Sequence, residues 1–188
     1  MKRVFRRLIL FMFFCGFLVA GFSSAQKEVL KAAYPIAHET AILTYAEEYG
    51  VDPALVYALI RTESSWRETA KSHAGAQGLM QITEPTFDFI LMRTGWTSYT
   101  YDDMFQPTVN IRCGIYFLSF LLNDFDGETD TALAAYNAGR GRVQGWLGDA
   151  RFSLDGETLD YIPYRETREY VKKVNTAYAM YTQLYFSN

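Results

Sequence analysis

Four short stretches of this chain bring together polar groups that could do chemistry. Glu63 comes first. It follows Leu55 and Leu59 at successive four-residue steps, so all three share one face of a helix. A carboxylate that continues an apolar stripe is drawn toward burial, and burial disfavours the anion and raises the pKa. Such a group can hold a proton near neutral pH and donate it. The plainer account of the same spacing is a solvated glutamate at a helix terminus. The second stretch is Gly75-Ala76-Gln77-Gly78-Leu79-Met80-Gln81. Its two glycines allow a tight turn or the close approach of a ligand. Gln81 offers an amide that donates and accepts, and Met80 an adaptable apolar surface. In Ala134-Ala135-Tyr136-Asn137-Ala138-Gly139 the small residues permit close helix packing and Gly139 is a natural helix stop. Tyr136 and Asn137 put polar groups beside that packing. The fourth stretch, Ile162 to Val171, opens a helix with Glu166 and Glu169 near its first turn, where the helix dipole favours acids. A turn, a capped helix end and a solvated charged face are the ordinary accounts of these last three.

The elements that must position these residues read as helices. The spacing predicts one over His38–Tyr49, stopped by Gly50, and one starting at Asp52-Pro53, where Asp can cap and Pro suits the first turn. Further helices are expected from Thr83 or Glu84 to about Arg93, over Pro107–Phe125, over Thr129–Ala138, as a short turn over Arg142–Leu147, and over Arg165–Tyr185. Residues 94–106 and 148–163 read as loop and irregular chain. Strand-like alternation is almost absent, so the expected class is all-α.

Other chemistries fit poorly. His38 and His73 lack the spacing of a zinc site, so no metal is expected. Serine-hydrolase, phosphate-loop and dinucleotide fingerprints are missing. The net charge of −3 argues against a nucleic-acid partner. That charge hides an asymmetry. Lys2, Arg3, Arg6 and Arg7 stand without an acid in residues 1–25, and without that segment the net charge is −7. The basic start precedes an uncharged apolar run from Leu8 to Gln26, which is the pattern of an export signal. Ser23-Ser24-Ala25 fits cleavage after Ala25. Retention as an anchor, with membrane attachment through residues 8–26, is the other reading. Residues 1–25 are thus expected to be a signal or anchor, 26–39 a tether and 40–188 the folded domain. Cys113 is the one cysteine beyond residue 25, so that domain should hold no internal disulfide.

Taken together, Glu63-Ser64, then Gly75-x-x-Gly78-Leu79-Met80-Gln81, then Ala134 to Gly139, then Glu166-Thr167-Arg168-x-Tyr170-Val171 resemble the catalytic domain of the soluble-type lytic transglycosylases. The likeness runs from about Thr40 to Tyr185, and Tyr49 to Val56 ahead of Glu63 shares it. It implies a lysozyme-like, mostly helical fold. It also implies an exported enzyme of the bacterial cell envelope, monomeric and without a cofactor, that acts on peptidoglycan glycan strands. On this likeness Glu63 is the single catalytic acid and base, and Ser64 touches substrate near the scissile bond. Met80 and Gln81 line the groove, Tyr136 and Asn137 position the glutamate and the sugar's acetamido group, and Glu166 and Tyr170 shape the same groove. The implied reaction cleaves the β-1,4 bond between N-acetylmuramic acid and N-acetylglucosamine and closes a 1,6-anhydro ring without water. The aromatic fraction of 16% suits sugar binding, with Trp96, Tyr99 and Tyr101 as candidates to flank a groove. Two rivals stand beside this. One is a hydrolytic muramidase with a second carboxylate among Asp88, Asp102 and Asp103. The other is a glycan-binding module without activity.

Overall fold

Asp52 starts the helix that carries Glu63. Its carboxylate accepts the Ala54 amide at 2.8 Å, and Pro53 sits in the first turn, where its missing N–H costs nothing. The computed structural model describes residues 26–187. The export signal or anchor expected over residues 1–25 lies outside the described residues. Among those described, no helix is long and apolar enough to cross a membrane. The chain divides into two units, one ending at Pro35 and one running from Ile36. In the first, residues 26–33 form helix α1, so the segment expected to be a tether is helical there.

The second unit holds α2 (Glu39–Tyr49), α3 (Pro53–Ser64), α4 (Glu84–Thr94), α5 (Pro107–Asp124), α6 (Thr129–Ala138), α7 (Arg140–Leu147) and α8 (Arg165–Tyr181). There is no strand among the described residues, only isolated bridges from Gln77 to Lys71 and to Ile82. The all-α class is as expected. Several boundaries differ from the sequence reading. A 3-10 turn, Tyr101–Phe105, interrupts the segment read as loop. It forms because Asp103 reaches back to accept from the Thr100 amide and hydroxyl, at 2.7 and 2.8 Å. Helix α7 starts at Arg140, directly after the Gly139 break, rather than at Arg142. Helix α8 ends at Tyr181 and passes into a π-helical turn, Thr182–Phe186.

Helix α3 is the spine of the unit. From Ala54 to Ile60 every residue is buried, which marks a helix enclosed on all sides. It packs most extensively on α8, while α6 lies against both α5 and α8. The chain leaves α3 abruptly through Ser65 and Trp66, both in the left-handed region at φ 51° and 68°. Non-glycine residues hold such angles only when their surroundings insist. Here the Trp66 ring packs on Tyr57 at 5.8 Å, and its indole N–H donates to the Tyr181 hydroxyl at 3.3 Å. Tyr57 in turn stacks on Tyr181 at 5.5 Å. The reversal after Glu63 is thus tied to both α3 and α8. Replacing Trp66 by Ala should cost about 2–3 kcal/mol of stability in a denaturant titration, because it removes packing and frees a strained turn. Tyr181→Phe, which keeps the ring stack, should cost under about 1 kcal/mol.

Candidate active site

Glu63 occupies the last turn of α3 and keeps partial solvent access. Protein crowds its other sides, and this desolvation pushes its pKa up to about 7. One interaction opposes the rise. The Tyr170 hydroxyl, from α8, donates to Glu63 Oε1 at 2.5 Å. Tyr136, from α6, lies close enough for the Glu63 charge to raise its own hydroxyl pKa, as that charge does for Tyr170. Burial is the larger cause for both phenols, so both stay protonated. A carboxyl group that titrates near neutrality is hydrogen-bonded by one neutral hydroxyl and acts electrostatically on a second.

The proton of each hydroxyl has a definite acceptor. The Tyr170 O–H points to Glu63, and Tyr136 donates to the Met80 carbonyl at 2.8 Å. Asn137 is exposed, and its carboxamide oxygen accepts from the Thr167 hydroxyl of α8 at 2.9 Å. The Asn137 NH2 is the end left to donate to a ligand. Gln81 sits at φ 49° and folds its NH2 back onto the Gly78 and Ala70 carbonyls, at 2.8 and 3.2 Å. Glu166 is exposed on the first turn of α8, one turn ahead of Tyr170 on the same face.

Two residues expected at the substrate have buried side chains. Ser64 is buried, at 1% exposure, and its hydroxyl donates to the Ile60 carbonyl at 3.1 Å. Its side chain closes the helix end instead of facing a substrate. Met80 is fully buried and seated against Gly114, so its side chain supports the wall rather than lining it. The aromatics expected to flank a groove are also otherwise engaged. Trp96 lies under the Arg112 guanidinium at 4.3 Å, Tyr99 accepts from Arg112, and the Tyr101 hydroxyl is within reach of the Gly75 and Ile82 carbonyls at 2.7 and 3.0 Å. Asp103, a candidate second carboxylate, is spent on the 3-10 turn and held below the usual range by those hydrogen bonds. A pocket of about 570 Å³ is lined by Asp52 and Leu55, at the opposite end of α3 from Glu63.

The sequence reading passed over Asn110. It is fully buried on α5, and its amide meets three backbone groups: the Met80 N–H at 2.7 Å and the Gln77 and Met104 carbonyls at 2.9 Å. The available signal was a polar residue within the apolar pattern of α5, one turn ahead of Gly114.

Residues 40–157 match the family model described as the transglycosylase SLT domain. This chain belongs to that family. It is 34% identical over 147 residues to the soluble lytic murein transglycosylase of Salmonella typhimurium, covering 77% of this chain and 23% of that protein. The membrane-bound lytic murein transglycosylase C of Cronobacter sakazakii is 31% identical over 157 residues, covering 72% and 44%. Among solved structures, the 70 kDa soluble lytic transglycosylase of Escherichia coli superposes with a TM-score of 0.75 at 29% identity, covering 84% of this chain and 26% of that one. An inactive glutamate-to-glutamine form of the Pseudomonas aeruginosa enzyme superposes at 0.72 with 33% identity, covering 82% and 25%. The chain spans about a quarter of the length of these soluble relatives.

The raised pKa of Glu63 makes a prediction about stability. Its ordinary value is 4.5 and its value in the fold about 7, so between those limits the folded state binds the proton and the unfolded chain does not. Stability must then fall as pH rises through that window. Glu63→Gln keeps an acceptor for Tyr170 and removes the buried charge. It should be more stable than the parent at pH 8 by on the order of 3 kcal/mol and nearly equal to it at pH 4, as read by denaturant unfolding.

Proposed function

We propose that this SLT-family domain is a peptidoglycan lytic transglycosylase that works with Glu63 as its one acid and base. The observation that carries the reading is the Glu63 carboxyl, held near pH 7 and hydrogen-bonded by a tyrosine hydroxyl instead of a second carboxylate. In its protonated form it can deliver a proton to the glycosidic oxygen between N-acetylmuramic acid and N-acetylglucosamine. The bond to the anomeric carbon breaks and the leaving sugar departs with that proton. The substrate's own acetamido carbonyl steadies the positive centre, and the free Asn137 NH2 is suited to orient an acetamido group. Glu63, now a carboxylate, accepts the proton of the muramoyl 6-hydroxyl as that oxygen closes the 1,6-anhydro ring. Acid and base are the same group in two states, so the cycle ends with the proton back on Glu63.

The relatives support this reading. Their names describe lytic transglycosylases of murein, and the Pseudomonas protein is described as inactive when one glutamate becomes glutamine. A complex of a 70 kDa soluble lytic transglycosylase with bulgecin A superposes with a TM-score of 0.76 at 29% identity. Soluble and membrane-bound forms both occur among the relatives. Together with the basic, apolar N-terminal segment, this supports reading the domain as one that works outside the cytoplasm and faces the wall.

Digestion of purified peptidoglycan followed by mass spectrometry of the soluble fragments tests the reaction. The expected products are one water lighter than hydrolytic ones, and Glu63→Gln should lower their release by about 10²–10⁴-fold. Products with full reducing ends would instead establish a hydrolytic muramidase. Glycan binding without cleavage would establish a binding module.

A further inference from the structure

The irregular segment between α7 and α8, residues 148–163, is tightly folded. Asp155 accepts the Glu157 and Thr158 amides, both at 2.8 Å, and Asp160 accepts the Leu154 amide at 2.8 Å. The Tyr161 amide returns to the Phe152 carbonyl at 3.1 Å. Arg168, from α8, donates to the Ile162 and Pro163 carbonyls at 2.5 and 3.0 Å and lies over the Tyr161 ring at 4.8 Å. The segment thus delivers Tyr164, which caps the start of α8, on a fixed backbone. The Tyr164 ring is held as well. The Arg142 guanidinium lies over it, 5.2 Å from its centroid, and Trp146 meets it edge to face at 5.1 Å and 68°. Arg142 is itself anchored, donating to the Ala138 carbonyl at 2.9 Å. With these neighbours in place the ring is still 49% exposed. An aromatic ring that is half in solvent while its orientation is fixed from behind needs little further ordering to bind.

Hydrogen bonds relate this ring to Glu63. Ala138, which accepts from Arg142, follows Asn137, and Asn137 accepts from Thr167. Thr167 lies one turn after Tyr164, and Tyr170, the donor to Glu63, lies one turn after Thr167. Six residues separate Tyr164 from Tyr170. At about 1.5 Å each, they span roughly 9 Å of helix axis. That is longer than one pyranose ring, so a sugar on Tyr164 is a neighbour of the reacting one. The flat C–H face of a pyranose suits an exposed aromatic ring. We propose that Tyr164 is a sugar-binding residue: its exposed ring stacks on an N-acetylated sugar of the glycan strand that neighbours the pair joined by the cleaved bond. The segment 148–163 serves to hold that ring in place. The proposal rests on the reading of this domain as a peptidoglycan enzyme.

The test uses the full chain and measures binding apart from cleavage. In the Glu63→Gln background, calorimetry with soluble glycan strands reads binding alone. Tyr164→Leu, which keeps apolar bulk without a ring face, should weaken it about tenfold, and Tyr164→Trp should keep it within about twofold of the parent. With Glu63 in place, Tyr164→Leu should raise KM about tenfold and leave kcat within about twofold, as expected when an interaction is shared by ground and transition states. Arg142→Leu leaves the ring but frees its orientation, should weaken binding about threefold, and decides the matter if Tyr164→Leu does not fold. Binding that is unchanged in Tyr164→Leu overturns the proposal. So does a defect confined to kcat, or one that Tyr164→Trp shares in full, because a merely structural role would give either. Cleavage products with full reducing ends, together with the expected loss of binding, would overturn the transglycosylase reading and uphold Tyr164 as a sugar-binding residue. A Glu63→Gln chain that binds no glycan would overturn both.

Discussion

The Tyr170 hydroxyl on the Glu63 carboxyl is the contact around which the second unit is organised. Burial alone would hold the carboxyl protonated, and hydrogen bonding alone would hold it ionised. Here the two act against each other, with burial the larger, and the outcome lies at about 7. That balance needs a helix whose end is enclosed yet still reached by solvent. Helix α3 supplies it by being buried along most of its length and opening only in its last turn. It also needs a donor fixed from outside the helix, which the extensive packing of α8 on α3 provides.

The rest of the site consists of devices that stop those groups from drifting. Ser65 and Trp66 accept left-handed angles so that the chain turns away immediately after Glu63, and the Tyr57–Trp66–Tyr181 cluster holds the turn. Thr167 ties α8 to α6 through Asn137. The Gly78 and Gly114 contacts bring the loop and α5 closer than side chains would allow. The cost falls in backbone strain and in a buried amide. The amide is tolerable because each of its donors finds a carbonyl.

Much of the fold was legible because its signals are local. Asp52-Pro53, Thr83 and Gly139 mark helix ends through chemistry that acts within four residues. The misplaced boundaries lie where one element passes directly into the next. Helix α7 starts early because Gly139, at φ 93° and ψ 136°, ends α6 and begins the next helix at once. The terminal π-helical turn leaves the regular pattern where Phe186 packs on Tyr57. At the site, the four-residue spacing behind Leu55 and Leu59 put Glu63 on the apolar face of its helix but fitted a solvated terminus as well, and the order of the four motifs singled it out. The burial of Ser64 and Met80 was not legible, because residue type says what a side chain can do, not which way it faces. Asn110 escaped notice since its partners lie up to 33 residues away in the chain.

The proton inventory makes the single-carboxyl reading coherent. A group that must give a proton and then take one back cannot be surrounded by donors, because each donor would favour the anion and weaken the acid. Nor can it lack donors, because the anion it becomes would then be unsupported in a crowded site. One donated hydrogen bond, from a phenol that burial keeps from ionising, lies between these limits. The second phenol has the same chemistry and lies close to the same charge, yet its proton is led away to a backbone carbonyl. The difference between the two tyrosines lies in their acceptors: the Glu63 carboxylate for Tyr170 and, for Tyr136, the carbonyl of Met80, whose own N–H is held by Asn110.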